Sequence, residues 1–222
     1  MSSSGSDFLP VSFQYPVAAC VLRANADFHL EALTCLDAPE FRPRKITEDF
    51  WHGLNNYRAK LGDRCKLVTF NGKGFDVPLL ELAAFRYGVG SKDHFGNNNR
   101  RRAETHLDLM EMLTGHGSIR LSGGLNLLSK LLGKPGKTGI QGDMVYQLYL
   151  AGKVKEINDY CMFDTLDTYF VFLRTRVLTG ELTLEAEHIA VLKAKEWLTQ
   201  KAVDQPALGQ YLEHWGDWSP WP

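Results

Sequence analysis

The chain lacks the patterns of membrane, secreted and zinc-binding proteins. No run approaches the ~18 apolar residues of a membrane span, and no basic segment followed by an apolar stretch opens the chain as in a signal peptide. The four cysteines contain no Cys-x-x-Cys and the seven histidines no His-x-x-x-His. Gly136-Lys-Thr138 lacks the upstream glycine of a P-loop. These absences favour a soluble, cytoplasmic protein with reduced thiols.

The net charge of −1 carries no information about partners, but its distribution does. Between Arg86 and Lys137 the sequence has nine basic and four acidic residues. A basic segment beside an acidic site is typical of an enzyme that acts on a polyanion. A solvated surface gives the same pattern, so both interpretations stay open.

Hydrophobic patterning predicts strands early in the chain and helices late. Val11–Ala24 and Phe28–Leu36, joined by Asn25-Ala26-Asp27, predict a β-hairpin. Further strands are predicted at Cys65–Phe70 and His106–Leu109. Helices are predicted at Thr47–Leu61, capped by Thr47, and at Val77–Tyr87, Leu125–Leu132, Gly142–Ala151, Lys153–Leu178 and Leu184–Ala202. This order indicates an α/β layer fold.

The stretch from Cys65 to Tyr87 places Asp76 between a strand and a helix. Asn71-Gly-Lys-Gly supplies turn residues, because glycine tolerates positive φ and asparagine bonds its own backbone. Asp76 then lies at a helix N-terminus just past a strand, where α/β proteins place functional groups. It could equally serve as a helix cap.

A second group of polar residues lies in the long helix predicted at Lys153–Leu178. Tyr160, Asp164 and Asp167 occur at i, i+4 and i+7, hence on one face, while Leu166 and its neighbours form an apolar face. Buried carboxylates are costly unless they are paired or bind a metal. The alternative is that both acids face solvent.

Together the two stretches resemble the DEDD 3′–5′ exonucleases. Asn71-x-x-x-Phe75-Asp76 resembles their second motif, and Tyr160-x-x-x-Asp164 resembles the third motif of the tyrosine-bearing (DEDDy) subclass. Thr105-His-Leu-Asp-Leu109 resembles the intervening strand of proofreading domains in family-B DNA polymerases. The resemblance is closest to predicted 3′–5′ exonucleases related to those domains and covers about Ser6 to Arg176.

This resemblance implies a metal-dependent nuclease on a ribonuclease-H-like mixed sheet flanked by helices. Two Mg²⁺ or Mn²⁺ ions would stabilise the attacking and leaving oxygens of a phosphodiester. Asp164 would bind one ion and Asp76 the other, directly or through water, and Tyr160 would orient the attacking water. Asn71 and Phe75 would contact the 3′ end of a single-stranded nucleic acid, with DNA favoured.

The resemblance also suggests two segments. Residues 6–180 would form the exonuclease domain, and residues 181–222 a helical, tryptophan-rich extension that packs on it. Arg100, Arg101 and Arg102 are candidates to hold phosphates.

One part of the family pattern is missing. The first motif, Asp-x-Glu on the first strand, is absent from the first ten residues, and Asp27-x-x-x-Glu31 has the wrong spacing. In the family this strand is central, between the hairpin and the strand at Cys65–Phe70. Without it, two sheet halves with unpaired edges are expected.

Three explanations for the missing motif remain open. Met1 is a misassigned or truncated start, the protein is a degenerate relative that binds nucleic acid without cutting it, or another chain supplies the strand. The 222-residue polypeptide is expected to bind metal poorly and to be weakly active or inactive. A catalytically inactive nucleic-acid-binding module is therefore the alternative function.

Overall fold

The computed structural model describes residues 9–96, 105–137 and 139–220 and shows a mixed α/β protein. Its strands are β1 (Cys20–Ala24), β2 (Leu30–Cys35), β3 (Leu67–Thr69) and β4 (His106–Asp108). Its α-helices are α1 (Pro43–Leu61), α2 (Asp76–Tyr87), α3 (Leu109–Leu113), α4 (Gly124–Leu131), α5 (Val145–Leu150), α6 (Val154–Leu178), α7 (Leu184–Lys201) and α8 (Pro206–Glu213). Within the described ranges, every helix is too short or too polar to cross a membrane.

The predicted hairpin is confirmed, with shorter strands. β1 and β2 pair antiparallel, and the Asn25 side-chain carbonyl closes the turn by accepting the backbone N–H groups of Asp27 and His29, each at 3.0 Å. Val11–Phe13 forms a 3₁₀ turn and not the expected strand. Pro16 explains the difference, because a proline inside the run cannot donate to a strand ladder.

The four strands form two separate sheets. β3 pairs with β4 in parallel, and among the described residues neither strand is hydrogen-bonded to β1 or β2. Within that part of the chain, β1 and β3 thus each have one edge that pairs with no other strand. Two separate sheet halves are what the sequence led us to expect without the first strand.

The predicted cap of α1 is wrong. The helix begins at Pro43, whose fixed φ and missing N–H suit a first turn, and not after Thr47. Thr47 is buried inside the helix, where its hydroxyl donates to the Pro43 carbonyl oxygen at 2.7 Å. The local signal of a threonine followed by acids was therefore overridden by a proline one turn earlier.

Helix α6 is the centre of the main hydrophobic core. Its bounds match the prediction to one residue, and the predicted apolar face is confirmed, since Leu166, Phe170 and Leu173 are all at most 1 % exposed. The hairpin packs against α6, as do α4, α5 and α7. Truncating a leucine such as Leu166 to alanine would cost about 2–5 kcal/mol of stability.

The C-terminal segment packs on α6. Helix α8, which the sequence patterns left as a tail, buries Leu208 and Tyr211 completely in the same core. The Trp215 ring contacts Phe170 edge to face at 5.0 Å between centroids, and the Lys134 ammonium lies 4.0 Å from the Trp215 ring centroid. The tryptophan-rich end thus covers its own protein where it is described; Trp221 lies outside the described residues.

Candidate functional site

The turn that follows β3 is held in an unusual backbone conformation. Asn71 has a positive φ of 61°, and Gly72 lies so close to β3 that a Cβ there would clash with the Thr69 side chain. The turn leads directly into α2, whose first residue is Asp76. Asp76 therefore occupies the first helical position, and Phe75 precedes it at the N-cap position.

The carboxylate of Asp108 fixes this turn from the end of β4. Its Oδ1 accepts the backbone N–H of Asn71 at 2.9 Å, and its Oδ2 accepts that of Lys73 at 2.9 Å. The same side chain caps α3 by accepting the N–H of Met110 at 3.0 Å. The sequence patterns placed Asp108 in a strand motif and missed this role, although Asp108-x-x-Glu111 has the spacing of a capping box.

Two other carboxylates act electrostatically on Asp76. Asp76 is exposed at the start of α2, but desolvation by the neighbouring protein is still the largest cause that raises the pKa of its carboxyl to about 6. A hydrogen bond from its own backbone N–H opposes the rise, and the carboxylates of Asp108 and Asp164 add smaller increases. Asp76 in α2 and Asp164 in α6, which are far apart in sequence, thus interact electrostatically.

Tyr160 and Asp164 line a cavity of about 130 Å³ beside α6. Both side chains are half-buried, and desolvation raises the pKa of each. The Asp164 carboxylate raises the pKa of Tyr160 further, while the Tyr160 hydroxyl and Lys137 oppose the rise at Asp164. The remaining lining residues include Gly136, Ile140, Phe163 and Gln210.

Lys137 is a cation at this cavity that the sequence patterns did not single out. Its Nζ lies 5.8 Å from the centroid of the Tyr160 ring, and Asn126 holds the loop by accepting the Lys137 backbone N–H at 2.8 Å. Gly136 is required beside it, since its φ is +62° and a Cβ would crowd the Asn126 side chain. Comparing Gly136-Lys-Thr138 with the P-loop pattern tests only sequence spacing, so it could not reveal that Lys137 lies at this cavity.

Asp167 lies in a different environment from Asp164, although both belong to α6. It is 1 % exposed, and its Oδ1 accepts the Tyr211 hydroxyl at 2.7 Å. Burial raises the pKa of Asp167 to about 7, against the effect of the Tyr211 hydrogen bond. The alternative interpretation, in which both acids face solvent, is wrong for Asp167. The carboxyl group joins α6 to α8 and does not open into the cavity.

Part of the basic segment is engaged within the protein. The Arg86 guanidinium donates to the carbonyl oxygens of Ser12 and Gln14, and Lys134 is only 5 % exposed. Arg100, Arg101 and Arg102 lie outside the described residues. Of the residues predicted at the site, Tyr160 and Asp164 line one cavity and the Asp164 carboxylate raises the pKa of Asp76, while Asn71 is exposed on the turn before α2.

The carboxylates at the candidate site supply only part of the ligands that a divalent cation needs. Asp76 and Asp164 offer oxygen ligands of the kind that Mg²⁺ and Mn²⁺ prefer. Both oxygens of Asp108 already accept backbone N–H groups. Within residues 9–96, 105–137 and 139–220, no group of three histidine, cysteine or acidic side chains could hold a metal ion.

Comparison with known proteins identifies the family. A family model described as a predicted 3′–5′ exonuclease related to the exonuclease domain of PolB matches residues 6–215. The chain belongs to this exonuclease family. The match to the predicted exonucleases runs beyond Arg176 and includes α7 and α8. No curated protein and no solved structure shows significant similarity to the chain.

Proposed function

We propose that the protein is a metal-dependent 3′–5′ exonuclease that hydrolyses phosphodiester bonds at the 3′ end of a single-stranded nucleic acid, with DNA as the favoured substrate. The observation that carries the proposal is that Tyr160 and Asp164 line one cavity while the Asp164 carboxylate acts electrostatically on Asp76. Family membership supports the same reaction. We further propose a ribonuclease-H-like fold and a cytoplasmic location.

Each motif residue has a distinct proposed role. Asp164 and Asp76 would hold Mg²⁺ or Mn²⁺, since a bound cation would offset the desolvation that raises the pKa of each carboxyl and the repulsion that Asp164 exerts on Asp76. The metal, when bound, supplies Lewis-acid stabilisation of charge on the phosphodiester oxygens. Tyr160 would hold the attacking water through its hydroxyl, which stays protonated because its pKa is raised.

The turn that carries Asn71 and Phe75 and the loop that carries Lys137 would bind the substrate. Asn71 presents an amide on an exposed turn, and Phe75 presents an aromatic ring beside it for stacking or packing against the terminal base. Lys137 adds a positive charge within reach of a phosphate at the cavity. Arg100, Arg101 and Arg102 remain proposed phosphate contacts.

Because the Asp-x-Glu motif is absent from the sequence, the expected rate of cleavage is low. Two carboxylates are fewer donors than a tightly held pair of ions needs, so cleavage by the 222-residue chain alone should be slow or undetectable. Among the described residues, β1 and β3 each have an edge that pairs with no other strand, which supports the proposal that a further strand completes the site.

A labelled-oligonucleotide assay tests the proposal. A single-stranded DNA labelled at its 5′ end is incubated with excess protein and Mn²⁺, and the products are resolved by length. Slow shortening from the 3′ end that EDTA stops is the expected result. Asp164→Asn and Asp76→Asn should each abolish it, while Glu196→Gln, which removes an exposed acid on α7, should not. Equal rates for Asp164→Asn and the parent would refute the assigned role of Asp164.

The second candidate function is a nucleic-acid-binding module without cleavage, which the incomplete donor set favours. Fluorescence anisotropy with the same oligonucleotide in EDTA separates the two. Tight binding with no shortening at any protein concentration, unaffected by Asp164→Asn, would establish the binding module in place of the enzyme.

A further inference from the structure

Two cysteines face each other across the hairpin, and neither of them lines the cavity. Cys20 in β1 and Cys35 in β2 are direct partners in the strand register. The adjacent pair is joined by the Leu36 N–H and the Ala19 carbonyl at 2.9 Å, so Cys20 and Cys35 form a non-hydrogen-bonded pair. Such pairs have Cα atoms about 4.5 Å apart, within the range that a disulfide spans.

The two sulfur atoms are already in contact. Cys20 Sγ lies 3.3 Å from Cys35 Sγ, and both side chains are half-buried free thiols. The sequence alone led us to expect reduced, buried cysteines. The structure agrees that they are free, but it leaves part of each residue open to solvent. Cys35 is the less buried thiol of the pair and therefore the one that a small oxidant would meet, and no backbone rearrangement is needed to join the two.

The surroundings of the pair shift the pKa values of the two thiols in opposite directions. A hydrogen bond from the Cys20 thiol, aided by Asn158 and Gln205, lowers the pKa of Cys35 to about 7, against the effects of burial and of Asp159. Hydrogen bonds with Cys161 and Cys35, and then burial, raise the pKa of Cys20. At neutral pH Cys35 is thus the better nucleophile and Cys20 keeps its proton.

We propose that Cys20 and Cys35 form an oxidisable dithiol, which a hydroperoxide converts into a disulfide. The Cys35 thiolate attacks the terminal peroxide oxygen, so that an S–O bond forms and the O–O bond breaks. The leaving alkoxide, or hydroxide from hydrogen peroxide, takes up a proton. Cys20 then attacks the sulfenic sulfur of Cys35; the S–S bond forms, the S–O bond breaks, and hydroxide leaves as water with the Cys20 proton. The two thiols lose two electrons, which the peroxide gains.

Cys161 is the competing partner. It lies on α6 within hydrogen-bonding reach of Cys20, whereas the register of the hairpin places Cys35 directly opposite Cys20. Because the pairing of β1 with β2 fixes the Cys20–Cys35 geometry on one rigid unit, this link should form ahead of one between β1 and α6.

Peptide mapping tests the assignment directly. Arg23 lies between the two cysteines, so trypsin releases Cys20 in Met1–Arg23 and Cys35 in Ala24–Arg44, while Cys161 lies in Glu156–Arg174. After treatment with hydrogen peroxide and digestion without reductant, the first two peptides should be linked. The number of free thiols should fall from four to two, and dithiothreitol should restore all four.

Cysteine variants complete the test. Cys65→Ser and Cys161→Ser should retain the link, and Cys35→Ser should lose it. In the reduced protein, iodoacetamide at pH 7 should alkylate Cys35 about ten-fold faster than Cys65, whose pKa burial raises. Four free thiols after peroxide treatment, or a Cys20–Cys161 link as the main product, would overturn the proposal. The parent protein and Cys161→Ser decide the outcome even if Cys35→Ser fails to fold.

Discussion

The Asp108 carboxylate holds the Lys73 backbone N–H at 2.9 Å, and through it the turn that leads to Asp76. The contact joins the end of β4 to the turn after β3. Since Asp108 also holds Asn71 in the same turn and caps α3, one buried side chain supports two backbone segments next to the proposed site. Its role is to position the site, and it is testable apart from catalysis.

Asp108→Ala should lower the free energy of unfolding by about 2–4 kcal/mol, because it leaves four backbone N–H groups without this acceptor. Asp108→Asn keeps one carbonyl oxygen and should cost less. Urea denaturation followed by circular dichroism measures both. If the alanine variant unfolds at the same urea concentration as the parent, the turn is not held in this way.

Gly72→Ala should destabilise the protein by about 2 kcal/mol or more, because the added Cβ would clash with the Thr69 side chain. The matched control is Gly53→Ala in α1, where a Cβ meets nothing within 4 Å. That change should stabilise the protein by about 0.5–1 kcal/mol through helix propensity. Opposite shifts of the melting temperature are expected, and shifts of the same sign would contradict the close packing of the turn on β3.

Asp167→Asn should change how stability depends on pH. The pKa of Asp167 is raised to about 7 in the folded protein, so its contribution is fully present below about pH 4 and is lost as the pH rises through 7. Asparagine cannot ionise, and its carbonyl can still accept the Tyr211 hydroxyl. Relative to the parent, the variant should therefore gain about 2–3 kcal/mol between pH 5 and pH 8.

Thermal melts of both proteins across that range measure the gain. Other groups that titrate there are common to both proteins and cancel in the difference. Tyr211→Phe provides the opposing comparison, because it removes the hydrogen bond that lowers the pKa of Asp167 while leaving the carboxyl. Its stability should fall more steeply with pH than that of the parent. A pH-independent difference for Asp167→Asn would show that the carboxyl is already ionised in the folded protein.

Lys137→Ala should weaken binding of a single-stranded oligonucleotide and make it less sensitive to salt. Removing one ion pair between a lysine and a phosphate of a single strand should reduce the slope of log K against log salt by about 0.7. Anisotropy titrations at several salt concentrations measure the slope. Lys193→Ala, which removes an exposed lysine on α7, is the control and should leave the slope unchanged. Equal slopes for both variants would remove Lys137 from the binding surface.

Local sequence signals predicted the bounds of helices and strands well wherever the glycine positions and the apolar periodicity indicated the same bounds. The bounds of α6 follow from Gly152 and Gly180, which both adopt positive φ at its ends. The local signals failed where two of them conflicted. Pro43 begins α1 one turn before Thr47, the residue that resembled a helix cap.

The sequence indicated candidate site residues only through its motifs. Spacing and resemblance single out Asp76, Tyr160 and Asp164, and in the structure the Asp164 carboxylate raises the pKa of both Asp76 and Tyr160. The partners that shape the site come from distant segments, as with Tyr211 on Asp167 and Asn126 beside Lys137. Such contacts depend on how helices pack, which periodicity within one segment cannot reveal.

The hydrogen bond between Tyr211 and Asp167 bears on how the protein can be divided for recombinant expression. A fragment that ends after Gly180 retains every motif residue, yet it would leave the Asp167 carboxyl without its donor and uncover apolar side chains of α6. We expect such a fragment to aggregate, whereas one that continues through Trp215 should stay monodisperse. The smallest monodisperse fragment is thus set by α8, which follows the last motif in the sequence.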